Sequence, residues 1–247
     1  MTTKTTATTT FYPADQRGHS KHSWLDSRHS FSFADFHDPG RMGIGPLRVL
    51  NDDWVEPAQG FGAHAHRDME IVSYVLSGAL EHKDSAGHGG VIKAGEAQFM
   101  RAGSGVTHSE RNASPTEPVH FLQVWIHPRT RGQRPAYDQR PVDLGRAGEF
   151  VTIASGHGEG IPIDQDASMR AARLDTGQEI HLPKREGRAY YAYVIDGAVT
   201  TKGQGMRKGD AMLIVEDTYD VRAVESSHVL LFDVPLPKPD DFRATLR

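Results

Sequence analysis

Short runs of Val, Ile, Leu, Phe and Tyr recur along the chain between clusters of Gly, Pro, Asp and Asn, and no long stretch carries apolar residues at helical spacing. The pattern predicts a mainly β protein. Strands are expected over residues 48–51, 70–76, 79–83, 97–101, 119–127, 151–154, 189–195, 211–215 and 228–234. Turn signals separate them at Ser77-Gly78, Ala94-Gly95, Asp196-Gly197 and Lys208-Gly209-Asp210.

The same pattern occurs twice. Tyr74-Val75-Leu76-Ser77-Gly78-Ala79-Leu80 aligns without a gap on Tyr193-Val194-Ile195-Asp196-Gly197-Ala198-Val199, 119 positions later. Each is followed by a Lys-Gly turn, at Lys93-Ala94-Gly95 and Lys208-Gly209-Asp210, and then by a last strand near Phe121 or Val229. Three signals in one order favour an internal duplication over two unrelated hairpins. Pro128, Gly132, Pro135, Pro141 and Gly145 crowd the stretch between the copies. The expected organisation is a disordered tail over residues 1–10, a β-barrel over 11–135 and a second over 136–247.

Composition narrows the function. At 247 residues the chain is long enough for two such barrels. Twenty-eight Lys and Arg against 32 Asp and Glu leave a net charge of -4, so the broad positive field used for nucleic-acid or anionic-membrane binding is absent. Neither partner is expected. The Thr-rich start has no apolar core of a secretory signal and no apolar run has membrane-spanning length, which makes the cytoplasm the default location. With no cysteine, thiolate metal sites and cysteine nucleophiles are excluded, and imidazole and carboxylate remain as strong metal ligands.

Fourteen histidines make the spacing of those ligands decisive. In Phe61-Gly62-Ala63-His64-Ala65-His66, strand alternation sends His64 and His66 to one face, where two imidazoles can share an ion. Thr107-His108-Ser109-Glu110 repeats the arrangement with a histidine and a carboxylate, after the Gly-rich turn Ala102-Gly103-Ser104-Gly105. Three nitrogens and one oxygen suit Fe, Zn, Ni, Mn or Cu and can leave coordination positions open. A lone His-x-His pair would be weak; the second pair strengthens it. Glu70 shares the parity of His64 and His66 on an unbroken strand, so spacing alone leaves it in competition with Glu110.

The order His64-x-His66, Glu70, Gly78, Gly95, Gly105, His108, Asn112 is similar to the two motifs of the cupin superfamily, with a longer second motif and Gly103 where proline is usual. Arg28-His29-Ser30-Phe31-Ser32-Phe33, Asp38-Pro39, Leu50-Asn51-Asp52-Asp53, Gly60-Phe61-Gly62, Asp68-Met69-Glu70, Glu81-His82-Lys83-Asp84-Ser85 and His108-Ser109-Glu110 resemble the pirin family. Within it they are most similar to bacterial pirin-like quercetin 2,3-dioxygenases, densely over residues 17–140 and more sparsely beyond. The resemblance implies a bicupin, two tandem jelly-roll barrels with one divalent metal in the first. It assigns the metal to His64, His66, His108 and Glu110 rather than Glu70, with Fe(II) foremost and Zn, Ni, Mn or Cu as alternatives.

The implied reaction is flavonol 2,3-dioxygenation, with a flavonol such as quercetin and dioxygen as substrates. The flavonol binds through its 3-hydroxyl and neighbouring carbonyl, Glu110 serves as ligand and base, and the ring opens with loss of carbon monoxide. A second implication is a non-enzymatic regulator that senses redox state and is read by a protein partner, for which the sequence carries no interaction motif. In the second half, the counterparts of the ligands are Pro183, Arg185, Arg222 and Val224, and His181 is expected to be an isolated surface histidine. The C-terminal barrel is then a packing partner or a modifier of the pocket. On the strand over 119–127, either Phe121, Gln123 and Trp125 or the alternating set His120, Leu122, Val124 and Ile126 faces inward. His82, His88 and His127 are expected in solvent.

Overall fold

A computed structural model of the chain describes residues 8–236, which fall into two compact units. One runs from Arg17 to Asp143 and also takes residues 154–165; the other holds residues 8–16, 144–153 and 166–236. The strands in chain order are β1 (Thr8–Tyr12), β2 (Gly18–Lys21), β3 (Leu25–His29), β4 (Leu47–Val55), β5 (Gly60–His66) and β6 (Glu70–Ser77). They continue with β7 (Ala79–Asp84), β8 (Gly89–Lys93), β9 (Glu96–Arg101), β10 (Val106–Asn112), β11 (Val119–Ile126) and β12 (Ala136–Pro141). After them come β13 (Val151–Ser155), β14 (Ile161–Pro162), β15 (Ser168–Leu174), β16 (Glu179–Leu182) and β17 (Arg188–Asp196). The last are β18 (Ala198–Thr201), β19 (Gln204–Arg207), β20 (Ala211–Val215), β21 (Tyr219–Ala223) and β22 (Ser227–Pro235). The protein is mainly β, as its patterning predicts, and no helix among the described residues is long and apolar enough to cross a membrane.

The first unit pairs a large sheet, β12-β9-β6-β11-β4-β3-β2, with a small one, β5-β10-β7-β8. In the second unit the order β1-β20-β17-β22-β15-β13 accompanies the small sheet β16-β21-β18-β19. Corresponding strands follow the same order, and the two aligned heptapeptides are the same hairpin, β6 into β7 and β17 into β18. The repeat is thus one of topology as well as of sequence.

Two expected boundaries move. Residues 8–10 belong to β1, whose pairing with β20 runs from Thr8↔Val215 to Tyr12↔Ala211; residues 1–7 lie outside the described set. Threonine is a good strand former, and Phe11 anchors the segment by packing on the core of the second unit, so a low apolar content does not make this stretch a tail. The Pro-rich stretch expected between the barrels contains β12, whose pairing with β9 extends from Ala136↔Arg101 to Pro141↔Glu96. Pro141, the last residue of β12, is tolerated because β12 is an edge strand, and the first unit passes residue 135 and reaches Asp143.

Alternation sorts the large sheet of the first unit. Leu25, Val55, Val75, Val119 and Phe121 of its inner face cluster with Leu80 and Ile92 of the small sheet, and Ile71 and Met100 cluster with Ala102 and with Val106 of the small sheet. Between the two lies a polar row. His29, Asn51, Gln123, Ser73 and Gln98 are cross-strand partners on β3, β4, β11, β6 and β9 in turn. The second unit differs, since its interior is filled by Tyr190, Met206, Met212, Tyr219, Val221, Leu231 and their apolar neighbours.

Candidate metal centre

β5 and β10 lie side by side in the small sheet, with His108 opposite His64. The register then slips between His108 and Glu110, so that Glu110 stands opposite Phe61. This irregularity gives β5 one extra residue around Gly62 and Ala63, so that Phe61, three positions before His64, turns to the same cavity face as His64 and His66, while His108 and Glu110 share a face by ordinary alternation along β10. Gly60 is needed for the close approach. A Cβ there would lie 2.3 Å from the Glu110 carbonyl oxygen and 2.5 Å from Arg111 Cα.

The three imidazoles converge. Ring centroids are 4.8 Å apart for His64 and His66, 4.4 Å for His64 and His108, and 4.9 Å for His66 and His108. One ligand atom from each lies within 4.8 Å of the others. His64 Nδ1 donates to the Gly62 carbonyl at 2.8 Å, which leaves its Nε2 as the bare, lone-pair nitrogen. Burial, reinforced by His64, lowers His66 to about 4 and His108 to about 3, so both rings are neutral around pH 7.

His108 Nε2 provides a test of fit for a cation. It is buried and has no hydrogen-bond partner. An orphaned imidazole nitrogen is costly unless something takes its lone pair, and two further imidazoles in reach make a divalent ion the matching acceptor.

Glu110 is 2 % exposed and lies within 4.8 Å of ligand atoms on His108 and His82. The polar row of the opposite sheet holds it. Gln98 Nε2 donates to Oε1 at 2.8 Å and Gln123 Nε2 to Oε2 at 2.7 Å. Ser73 Oγ lies 3.1 Å from Oε1 and 2.6 Å from Gln123 Oε1, and its single proton can serve one of them at a time. Burial pushes the Glu110 carboxyl up, while His82 and these donors pull it down.

His64, His66 and Glu110 line one wall of a cavity of about 530 Å³. Trp24, Leu25, Phe33, Phe61 and Trp125 supply its apolar surface, and Ser27, His29, Asn51, Asp53 and Gln123 its polar wall. That size and mixture suit a small aromatic ligand carrying several polar groups. Gln123 and Trp125 are the cavity-facing residues of β11, and Phe121 of the same face lies in the apolar cluster.

The family model Pirin matches residues 10–126, and the model described as the quercetinase C-terminal cupin domain matches residues 152–234. A quercetin 2,3-dioxygenase of Escherichia coli K12 is 43% identical over 224 residues, covering 90% of this chain and 96% of its own length. The chain belongs to the pirin family. A pirin-like protein of Caulobacter vibrioides is 38% identical over 226 residues, covering 90% of this pirin and 97% of its own length. Among solved structures, YhhW of E. coli superposes with a TM-score of 0.89 at 39% identity, covering 93% of this chain and 99% of that one. The bacterial pirin YhhW in complex with nickel(II) gives 0.88 at 38% identity, covering 93% and 100%. The bicupin fold implied by the motifs holds.

Glu70, left open by spacing, is not with the imidazoles in this pirin. The chain leaves extended geometry at Asp68, where φ is 49°, so β5 and β6 are separate strands and the parity argument breaks. Glu70 falls on the face opposite Ser73, fully buried, and accepts the backbone amides of Asp164 at 2.6 Å and Gln165 at 3.1 Å. Asn112, also in the motif, ties a turn by donating to the carbonyls of Val55 and Glu117.

His82, expected in solvent, is fully buried beside the site. Its Nδ1 lies 3.4 Å from His108 Nδ1, and its Nε2 lies 3.4 Å from Asp84 Oδ2. The carboxylate requires a proton on His82 Nε2. In the neutral ring His82 Nδ1 is then the acceptor for His108 Nδ1–H, which leaves His108 Nε2 as that ring's lone-pair nitrogen. Tyr137 stacks on His82 and His88, and His88 Nδ1 bonds Asp84 at 3.1 Å. His127 is exposed as expected. His181 is exposed but paired with Asp220, on the face opposite the core residues Ile180 and Leu182. Sequence reasoning missed Ser73, Gln98 and His82. The available signal was a polar residue at an inward position of an otherwise apolar strand.

Proposed function

We propose that this pirin is a metal-dependent quercetin 2,3-dioxygenase, with His64, His66, His108 and Glu110 holding one divalent ion. The orphaned, buried Nε2 of His108, a residue that clusters with two further imidazoles, carries the reading. Imidazole and carboxylate donors accept several metals, and we propose iron(II) from the family resemblance, with nickel(II) as the competitor because a solved relative is a nickel(II) complex. When bound, the ion supplies Lewis-acid polarisation of a flavonol's hydroxyl and carbonyl and a route for electrons to dioxygen.

The protein's own part is positioning. Trp24, Phe61, Phe33 and Trp125 form the apolar walls against which flat rings can lie, with Trp24 and Phe61 edge to face at 5.1 Å and Phe33 and Trp125 at 5.5 Å. These walls exclude water from the ligand's apolar body. Gln98 and Gln123 orient the Glu110 carboxylate by placing one amide donor on each of its oxygens. His82 and Asp84 hold the His108 ring in the tautomer a cation requires.

The test is oxygen-dependent loss of quercetin absorbance by metal-loaded protein, with a metal-free control. Turnover that disappears on chelation and returns with metal is the expected result. A flat trace at full metal occupancy contradicts the proposal.

A further inference from the structure

The second unit carries an inward-facing cation with no part in the metal centre. On β15, Ala172 and Leu174 belong to the core cluster, and alternation turns Ser168 and Arg170 to the same inner face. Leu231 of β22 pairs with Arg170 of β15 and with Ala192 of β17, which pairs in turn with Met212 of β20. Gln123 has the same relation to Asn51, Ser73 and Gln98 in the first unit, and the aligned hairpins set Ala192 against Ser73. Arg170 therefore stands where the first unit has Asn51. The row that orients Glu110 has become one guanidinium beside three apolar side chains.

Charge does not balance around it. Asp233 lies opposite both Ser168 and Tyr190. It accepts from Arg188 Nε at 2.6 Å and from Arg185, and Arg188 Nη1 donates to Asp166 at 2.9 Å. Two carboxylates thus take two guanidiniums. Arg170 is left over. It has no hydrogen-bond or ion-pair partner among the described residues, and its Nε is buried. Ser168 Oγ, one inward step along β15 in a residue 1 % exposed, is likewise buried without a partner. The charges gather around one phenol: burial pushes the Tyr190 hydroxyl up and Asp233 assists, while Arg185, Arg170 and Arg188 pull it down.

A half-buried guanidinium without an acceptor is costly unless an anion joins it, and the orphaned hydroxyl beside it offers a second donor. The fork and the charge left over select the anion. One uncompensated positive charge matches a monoanion, and a planar guanidinium matches a planar carboxylate through two parallel hydrogen bonds. A phosphate dianion would bring surplus negative charge against Asp233 and Asp166. We infer that the second unit binds a small organic carboxylate at Arg170, with Ser168 as a further donor, whatever the substrate of the first unit.

Titration calorimetry of the full chain with acetate and benzoate, at fixed ionic strength and in metal-loaded and chelated forms, tests this. The chelated form should bind one carboxylate per chain, and the metal-loaded form should retain that site. Arg170→Gln should weaken it at least about tenfold, the loss expected for a hydrogen bond to a charged group. Arg170→Lys keeps the charge and loses the planar fork, so its affinity should fall between the two. Binding confined to the metal-loaded form belongs to the first unit and overturns the site, as does binding unchanged in Arg170→Gln or no binding by wild type at millimolar carboxylate. Inorganic phosphate that binds through Arg170 more tightly than either carboxylate overturns the carboxylate assignment. Should Arg170→Gln fail to fold, Arg170→Lys decides, and unchanged affinity there overturns the site.

Discussion

Replacing His82 by Phe should weaken metal binding although His82 is not among the four proposed ligands. Phe preserves the flat ring stacked on Tyr137, whose centroid lies 5.0 Å from that of His82. What it removes is the acceptor for His108 Nδ1–H and the donor to Asp84. The His108 ring then loses the bond that fixes its tautomer, and a buried N–H is left unpaired. Loss of such an outer partner costs about 10- to 100-fold in metal affinity, which at about 1.4 kcal/mol per tenfold is roughly 1.4–2.8 kcal/mol. Chelator competition on wild type, His82→Phe and His82→Asn measures it, with thermal unfolding as the control for folding. Asn presents a carbonyl oxygen near the position of Nδ1, so it should recover part of the loss. Equal affinity in wild type and His82→Phe would refute the tautomer argument, and so would equal weakness in the Phe and Asn variants.

The two carboxylates should separate cleanly. Glu110→Gln turns an amide toward Gln98 and Gln123 and should reduce metal occupancy at least about tenfold, whereas Glu70→Gln should leave occupancy unchanged and cost about 1–3 kcal/mol in denaturant unfolding by weakening its grip on the Asp164 and Gln165 amides. The reverse order would mean the wrong carboxylate was assigned. Gly103→Ala should destabilise the fold by roughly 2 kcal/mol or more, because φ is +47° and a Cβ would stand 2.1 Å from the Gln133 carbonyl oxygen; an unchanged unfolding midpoint contradicts this. Metal-free protein should lose stability in acid. His66 and His108 are depressed to about 4 and 3 when folded, so the unfolded chain takes protons first. Their neutral rings cost nothing above about pH 6.5, and stability falls as pH drops from there toward 4, by roughly 2–3 kcal/mol between pH 6.5 and 4.5 for His108 alone. Urea midpoints across that range check it, and a profile as steep in His108→Gln as in wild type would contradict the assignment.

The strands were legible because their apolar runs are bounded by turn residues, and the duplication because the hairpin Tyr74–Leu80 recurs at Tyr193–Val199 with its glycine in place. The pairs His64/His66 and His108/Glu110 were legible as candidates because strand alternation is a local rule, while the preference for Glu110 over Glu70 came from the family resemblance. The separation of Glu70 from the imidazoles was not legible, since it depends on the backbone turn at Asp68, which spacing does not register. Ser73, Gln98 and Gln123 come from three strands and act on Glu110 only after β6, β9 and β11 align in register. His82 reads as a hairpin-end histidine until β7 pairs with β10 and brings it against His108. β1 was missed because its partner, β20, lies near the other end of the chain, and long-range pairing leaves no trace in a short window of sequence.

The central claim is that four side chains share one ion. A crystal of the metal-loaded protein, with anomalous diffraction recorded at the metal's absorption edge, tests it most directly. The account predicts a single strong peak within about 2.0–2.2 Å of a nitrogen of His64, His66 and His108 and an oxygen of Glu110. A fully loaded protein whose peak lies elsewhere, or whose ion leaves Glu110 on its glutamine donors and out of coordination range, would contradict it.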